Sequence, residues 1–335
     1  MTSAVAPSST DWLPMEFVPG LVSVIVPVHN RSELLHKALA SVLAQDYQPI
    51  ECIIVDDGST ENIRQVAENC SHSINSGVSL RYFRQHKAGG CAARNRGLKE
   101  SHGELIGFLD SDDELLPSAL RRKVECLRSS PVAYCYDRGR RVDESGAEVG
   151  FFGQEWPSEG PVIWRYLFDT NAPLLRRSVC ARLGPWNEAL SGNQEVEYFA
   201  RLIIRVGRGE FIPEIGHQIL EHAGPRVVGS AAWAPTKLQA WELIVSHLLQ
   251  DGANYAADLA VYSKFLREAF SVAASQRYAE GDHRAAFDNL NKACRYGYRR
   301  WHVILYLRLF PLWPRVVSRA YFCPKLLWSR MAKRK

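Results

Sequence analysis

The sequence predicts an α/β fold: a mostly parallel sheet flanked by helices, followed by an α-helical C-terminal extension. Three observations carry this expectation. Short apolar runs rich in β-branched residues alternate with segments of helical periodicity from Leu21 to Leu127, the pattern of strands buried on both faces and joined by crossover helices. Three of these runs end in polar clusters, Pro27-Val28-His29-Asn30, Asp56-Asp57 and Asp110-Ser111-Asp112-Asp113. From about Trp233 onward the spacing reads as helical.

Each element follows from its own residues. After a Ser, Pro and Ala-rich lead-in over residues 1–20, Leu21 to Val26 reads as the first buried strand, ended by Pro27. Leu34, Leu35, Ala38, Leu39 and Val42 recur at helical spacing, with Ser32 as the expected cap. Cys52 to Val55 is the second strand, with a helix running into Ala67. Leu80 to Phe83 is the third, followed by a helix over Ala92 to Leu98. Leu105 to Leu109 is the fourth, with a helix from about Pro117 to Leu127. A hairpin is expected between Val132 and Val149, turning at Asp143-Glu144-Ser145-Gly146, then a short helix over Trp164 to Phe168 and a strand at Pro173 to Leu175. Glu195 to Val206 has helical spacing, and Phe211 to Leu220 reads as extended. The stretch from Arg277 to Ala293 resembles one helical hairpin of the tetratricopeptide kind; a single copy cannot stack into a solenoid. The expected domains are a globular unit over residues 21–230 and a helical, basic extension over 231–335.

Composition narrows the class. The 335 residues are 46% hydrophobic and 23% charged, which excludes disorder as the main state. The eight cysteines form no CxxC pair, and the opening residues lack a basic-then-apolar leader. Reduced thiols in the cytoplasm are the expectation. The net charge of +5 hides an asymmetry, because residues up to Asp288 hold 29 basic against 36 acidic side chains, while the remainder holds twelve basic and no acidic ones. Trp301 to Phe310 is broken by Arg308 and followed by Pro311 and Pro314, too short and interrupted to span a bilayer.

In a parallel sheet every strand ends at one edge, and ligands bind in the crevice outside it. The three polar clusters would share that edge and bring up to five carboxylates together, a repulsion that a divalent cation with oxygen ligands relieves. Such a cation implies a phosphate. The common phosphate devices are absent: no GxGxxG follows the first strand, which disfavours a dinucleotide-binding dehydrogenase, and no GxxxxGK[ST], which disfavours a P-loop enzyme.

The runs SVIVPVHN, IIVDDGST, GGCAARNRG and FLDSDDELLP, in this order and spacing, resemble the nucleotide-sugar-binding half of the family 2 glycosyltransferases, which have the GT-A fold. The resemblance covers about residues 21 to 225 and implies an inverting transferase that uses a nucleoside diphosphate sugar with Mn²⁺ or Mg²⁺. Carried over position by position, it puts Pro27 and Asn30 beside the nucleotide and Asp56 on the base or ribose, with Asp57 in the same turn. Arg94 matches an Arg near the nucleotide or diphosphate. Asp110-Ser111-Asp112 matches the DxD signature, with Asp112 as metal ligand and Asp110 facing the ribose or a metal-bound water.

Inversion needs a carboxylate to take the acceptor hydroxyl's proton on the face opposite the leaving diphosphate. The family carries this base in a Glu-Asp pair at the start of a helix, with an Arg further on. Here the segment Asn193 to Leu202 aligns through Arg201 and puts Glu195 at the base position, with Gln194 in place of the usual acid and Glu197 as the alternative. His222 corresponds to a His that in many members reaches the metal or diphosphate.

Simpler roles stand beside these. Asp57 to Thr60 and Asp112-Asp113 also suit a turn and a helix N-terminus, Arg94 suits a solvated helix face, Glu195 a first helical turn and His222 a structural position. The basic tail interleaves Arg and Lys with Trp301, Trp313 and Trp328, Tyr306, Phe310 and Leu326-Leu327, the composition of a membrane-surface segment rather than a nucleic-acid groove. The expected partners are therefore a nucleoside diphosphate sugar donor, a saccharide or lipid-linked acceptor and the inner face of the cell membrane, in cell-surface polysaccharide or lipopolysaccharide assembly. Two alternatives remain: a non-catalytic nucleotide-sugar binder or scaffold, suggested by Gln194, and a sugar nucleotidyltransferase, which PVHNRSE disfavours because it lacks a Gly-rich basic loop.

Overall fold

The computed structural model describes residues 12–71, 77–163, 168–221 and 233–297. The elements run in chain order β1 (Val18–Val28), α1 (Ser32–Leu43), β2 (Ile50–Asp57), α2 (Ile63–Ser71), β3 (Val78–Gln85), α3 (Gly90–Glu100), β4 (Gly103–Phe108), β5 (Asp113–Leu115) and α4 (Ala119–Ser129). There follow β6 (Tyr134–Asp143), β7 (Glu148–Phe152), β8 (Pro173–Arg176), α5 (Arg177–Leu183), α6 (Gln194–Val206), β9 (Glu210–Glu221), α7 (Trp233–Asp251), α8 (Ala256–Ala279) and α9 (His283–Arg295). The described residues fall into two compact units divided between Ala240 and Trp241.

The first unit is built on one mixed sheet in the order β3-β2-β1-β4-β8-β6-β9-β5, with β7 paired to β6. β1 to β4 are mutually parallel, as their βα alternation requires. Val22, Val24 and Val26 of β1 pack with Leu35 and Leu39 of α1, Ile54 of β2 and Val124 of α4 in one core. Ile25 and Ile53, also fully buried, point to the opposite face by strand alternation. Each such side chain contributes about 1.5–3 kcal/mol by leaving water, so both sheet faces must be covered.

Beyond β4 the sheet changes direction. β8 is antiparallel to both β4 and β6, so the residues that lead into β8 arrive at the edge where β1, β2 and β4 finish. β5 leaves that edge directly after β4 and pairs antiparallel with β9, Asp113 opposite Ile219 and Leu115 opposite His217. Asp110 to Asp112 thus form a short link held at both ends by the sheet. β5 and α5 are elements that the apolar pattern did not predict. The segment 164–167, expected within a helix, lies outside the described residues.

The start of α1 also differs from expectation. Ser32 is its first residue rather than its cap. The N–H groups of Arg31 and Ser32 donate instead to the Glu61 carboxylate at 3.1 and 2.7 Å, an acceptor from the neighbouring loop that does what a cap does.

In the second unit, α8 and α9 form a helical hairpin closed at Gly281, whose φ of +82° is the left-handed conformation glycine favours. Asp282 caps α9 by accepting the Ala285 N–H at 3.0 Å, and Ala286, Leu290 and Ala293 are buried. Among the described residues no helix is long and apolar enough to cross a membrane.

Candidate active site

The polar clusters at the ends of β1, β2 and β4 do converge. Asn30 and Arg31, leaving β1, both hold positive φ of 61° and 67°, a conformation uncommon for residues other than glycine. Hydrogen bonds fix it: Asn30 N–H donates to Ser59 Oγ at 2.8 Å, and Asn30 Oδ1 accepts from Thr60 N–H at 2.9 Å and Glu61 N–H at 3.3 Å. This turn carries the Arg31 guanidinium onto the Asp112 carboxylate as an ion pair. Pro27 sits half-buried near the end of β1, opposite Val55.

The two acids after β2 face inward. Asp56 is fully buried, its Oδ1 accepting Ser59 N–H at 2.8 Å and its Oδ2 the Tyr82 hydroxyl at 2.7 Å. These bonds outweigh the burial that would raise its pKa, and hold the carboxyl below its usual range. Asp57 accepts from Gln85 Nε2 and from the N–H groups of Ala88 and Gly89 at 2.7–2.8 Å. It therefore shapes the loop entering α3. Gly58, at φ +72°, lets that loop approach: a Cβ there would sit 2.8 Å from Lys87 N.

Of the five carboxylates expected on the edge, Asp110 and Asp112 remain partly open. Asp113 is buried, receiving Asn171 Nδ2 at 2.8 Å and Leu220 N–H at 3.2 Å. Its pKa is pushed well up by burial and by the charges of Asp110 and Asp112. Ser111 is buried between them. The Asp110 carboxyl is raised by burial and by Asp112 and Asp169, against the opposing pull of Arg94.

A divalent metal fits this donor set. Among the described residues no three His, Cys, Asp or Glu side chains form a protein cage, but a hard cation such as Mg²⁺ is commonly held by one or two carboxylates completed by substrate phosphates. Asp110 and Asp112 supply such oxygens, and their mutual repulsion favours a cation. His222 lies outside the described residues.

The first turn of α6 meets this cluster through Arg94. From α3, Arg94 Nη2 donates to Asp110 Oδ1 at 2.6 Å and Nη1 to Gln194 Oε1 at 3.1 Å. Its guanidinium lies over the Trp186 ring, 4.7 Å from the centroid. Trp186 is stacked on Tyr198 at 4.0 Å, and its backbone is clamped by Asn95 Oδ1 and Nδ2 at 2.8 and 2.9 Å. Arg94 is thus a strut between the Asp110–Asp112 link and the first turn of α6.

Glu195, next along α6, is half-buried. Burial raises its pKa, with Asp110 and Asp169 adding to the rise and Arg94 opposing it. Glu197 is different: it is buried and ion-paired with Arg201 at 2.8 and 3.0 Å, while Arg201 also binds the carbonyls of Leu183 and Pro185. That carboxylate anchors α6 to the preceding loop and is spoken for.

Three residues join this site that the sequence reading did not single out: Arg31, Asp169 and Asn171. Asp169 and Asn171 come from the lead-in to β8. The signal that could have found them was a polar Asp-Thr-Asn triplet directly before an antiparallel strand, which delivers its first residues to the edge where parallel strands end.

Comparison with known proteins agrees with this architecture. Residues 23–165 match the family described as Glycosyl transferase family 2. An uncharacterized glycosyltransferase of Rickettsia bellii is 34% identical over 125 residues, 37% of this chain and 18% of that protein. The GalNAc(5)-diNAcBac-PP-undecaprenol beta-1,3-glucosyltransferase of Campylobacter jejuni subsp. jejuni is 40% identical over 101 residues, 30% of this chain and 32% of that protein. The chain thus spans less than a third of the length of either relative. The crystal structure of S. aureus TarS 1-349 in complex with UDP-GlcNAc superposes with a TM-score of 0.63 at 17% identity, covering 86% of this chain and 87% of that one. The fold is GT-A. Residues 23–165 form a family 2 glycosyltransferase domain.

Proposed function

We propose that the protein transfers a sugar, with inversion, from a nucleoside diphosphate sugar to an acceptor hydroxyl, with Glu195 as the general base. The observation that carries this reading is the Arg94 strut, which fixes the first turn of α6 against Asp110 and so sets a half-buried carboxylate with a raised pKa beside a donor-binding edge. A base works best when its pKa approaches the working pH, and the environment of Glu195 moves it in that direction.

Pro27, Asn30, Asp56, Asp57, Arg94, Asp110 and Ser111 form the donor side. Asn30 and Asp57 act through the backbone loops they hold, while Arg94 offsets phosphate charge. A divalent cation held by Asp112 with Asp110, and by His222 where its side chain reaches, would supply neutralisation of the charge developing on the leaving diphosphate. The hydroxyl of the acceptor approaches Glu195, gives up its proton to the carboxylate and attacks the anomeric carbon from the face opposite the diphosphate. A saccharide or lipid-linked acceptor is supported by the named acceptor of the Campylobacter relative and by the twelve basic residues after Asp288. About 1 kcal/mol per basic residue near an anionic leaflet would hold the chain on the inner membrane face. That tail, after residue 297, lies outside the described residues.

Glu195→Gln tests the reading. Turnover of a UDP, GDP or dTDP sugar is expected to fall about 10²–10⁴-fold while calorimetry with the matching nucleoside diphosphate and Mn²⁺ shows unchanged affinity. Undiminished turnover would remove Glu195 from the reaction; nucleotide binding by the wild type with no turnover on any acceptor would favour a non-catalytic binder.

A further inference from the structure

Behind the candidate site lies a closed ring of charges, buried at Lys123, Asp137 and His217 and partly open at Asp169, that takes no direct part in the proposed transfer. Lys123 Nζ of α4 pairs with Asp137 Oδ2 of β6 at 2.9 Å. Asp137 Oδ1 lies 3.0 Å from His217 Nδ1 of β9, and His217 Nε2 lies 2.8 Å from Asp169 Oδ2. Asp169 Oδ1 accepts the N–H groups of Asn171 at 2.8 Å and Ala172 at 3.2 Å. Lys123 Nζ also donates to the Asn171 carbonyl at 3.3 Å, which closes the ring.

The ring is neutral only with His217 protonated, two cations against two carboxylates. Burial alone would strip that proton, but Asp169 and Asp137 push the imidazole pKa up to about 10. The fold makes room for this arrangement at two glycines. A Cβ on Gly139, which faces His217 in register, would sit 2.2 Å from His217 Nε2, and one on Gly216 would sit 1.6 Å from Asp137 Oδ2.

Such a ring is a weak device for stability, because apolar side chains of similar volume commonly serve as well or better. Its polar outlet toward the site is the Asn171 amide. Asn171 Oδ1 accepts the Asp110 N–H at 2.9 Å, and Nδ2 donates to Asp113 Oδ2 at 2.8 Å. Both ends of the segment that carries Asp110 and Asp112 are therefore tied to one side chain. Supports of this kind are worth about 10–100-fold in metal affinity at metal sites generally.

We propose that Asn171, fixed by the ring of Lys123, Asp137, His217 and Asp169, is a positioning residue that sets the Asp110–Asp113 segment in the geometry required for donor diphosphate binding. The inference rests on the glycosyl-transfer reading for the ligand, and on contacts within the chain for the positioning. The Asp110 N–H and Asp113 carboxylate cannot both keep their partners if Asn171 shifts. The ring holds Asn171 by its backbone at two points, the N–H through Asp169 and the carbonyl through Lys123.

The test compares Asn171→Ala, Asn171→Asp and His217→Gln with the wild-type full chain in two measurements. One is hydrogen exchange over residues 105–115; the other is calorimetric titration with UDP, GDP and dTDP in the presence of Mn²⁺. Expected are at least tenfold faster exchange over 110–113 and at least tenfold weaker nucleotide binding in Asn171→Ala and His217→Gln, with cooperative melting and unchanged exchange in β1 and β2. Asn171→Asp, which keeps an acceptor for the Asp110 N–H, should recover part of the exchange protection. Cooperatively folded variants with wild-type affinity, or with unchanged exchange over 110–113, overturn the proposal. If the wild type binds none of the three nucleotides yet the variants exchange faster, the transfer reading falls and the positioning stands. Should His217→Gln fail to fold, Asn171→Ala decides alone.

Discussion

Gln194 accepts a hydrogen bond from Arg94 at 3.1 Å at the position where the family pattern carries an acid. An amide there holds the guanidinium in place without cancelling its charge, which leaves that charge for the ion pair with Asp110 at 2.6 Å. Gln194→Glu would place Arg94 between two carboxylates and add a negative charge beside a site read as binding a diphosphate. A cost of roughly 1 kcal/mol for one added charge at partly solvated range converts to about fivefold weaker UDP or GDP binding. Calorimetry of the single variant checks this, and equal or tighter binding would show that the charge of Arg94 does not reach the donor.

The raised pKa of Glu195 has a direct kinetic consequence. A general base works only when ionised, so turnover at saturating donor should be lost as pH falls through the Glu195 pKa. Because burial, Asp110 and Asp169 lift that value and Arg94 only partly offsets them, the acid limb belongs above the ordinary glutamate range of about 4.3. A pH profile of kcat checks it. An acid limb at or below the ordinary value would separate Glu195 from the rate.

A divalent cation held by Asp112, as proposed above, would compete with Arg31 for that carboxylate. Arg31→Ala removes the competitor, so Mn²⁺ titrated without nucleotide should bind about three- to tenfold more tightly than to the wild type, a difference on the order of 1 kcal/mol. Nucleotide is left out of this titration so that any contact of Arg31 with phosphate does not mask the effect. Unchanged or weaker Mn²⁺ binding would place the cation away from Asp112.

Much of this was readable in the chain itself, and what was not has a physical reason. β1, β2 and β4 announce themselves because strands covered on both faces must be apolar throughout, and Asp110, Asp112, Arg94 and Glu195 follow from their place after such strands or in a matching motif. β5 is invisible because Asp113-Glu114-Leu115 holds two acids in three residues; its partner is β9, more than a hundred residues away. α5 begins with Arg177, a charged residue that adds nothing to an apolar pattern yet is buried with its guanidinium on the Gly103 and Pro14 carbonyls and Ser101 Oγ. Asp56 and Asp57 read as edge groups, yet Tyr82 and the loop before α3 absorb them, which only the β2–β3 register brings about. Asp169 and Asn171 required knowing that β8 runs antiparallel.

Trp186 offers a case where two magnitudes oppose. It is 1% exposed and stacked on Tyr198, so Trp186→Ala should cost about 3–5 kcal/mol of stability. Its buried Nε1–H meets no acceptor among the described residues, a penalty of about 1–3 kcal/mol. Trp186→Phe removes that orphan while keeping a ring in the stack, and its stability should stay within about 1 kcal/mol of wild type. Arg94 would then rest on a smaller π surface. Urea unfolding of the two variants checks the contrast, and a loss in Trp186→Phe as large as in Trp186→Ala would show that the indole's full volume, not the ring stack, holds this region.

His217 makes the fold sensitive to alkali. Its imidazole pKa lies near 10 in the folded chain against an ordinary 6.5, so between these values the folded protein holds a proton that the unfolded chain has released. Its stabilising contribution is fully present below about pH 6.5 and is lost as pH rises through 10, with a slope of up to about 1.4 kcal/mol per pH unit. Other groups titrate toward the upper end of this window, which makes the difference between two proteins the informative quantity. His217→Gln cannot carry the proton, so its urea midpoint should decline less between pH 7 and 9 than that of the wild type. Parallel declines over that interval would mean that His217 is neutral in the folded state and that the buried ring carries a net negative charge.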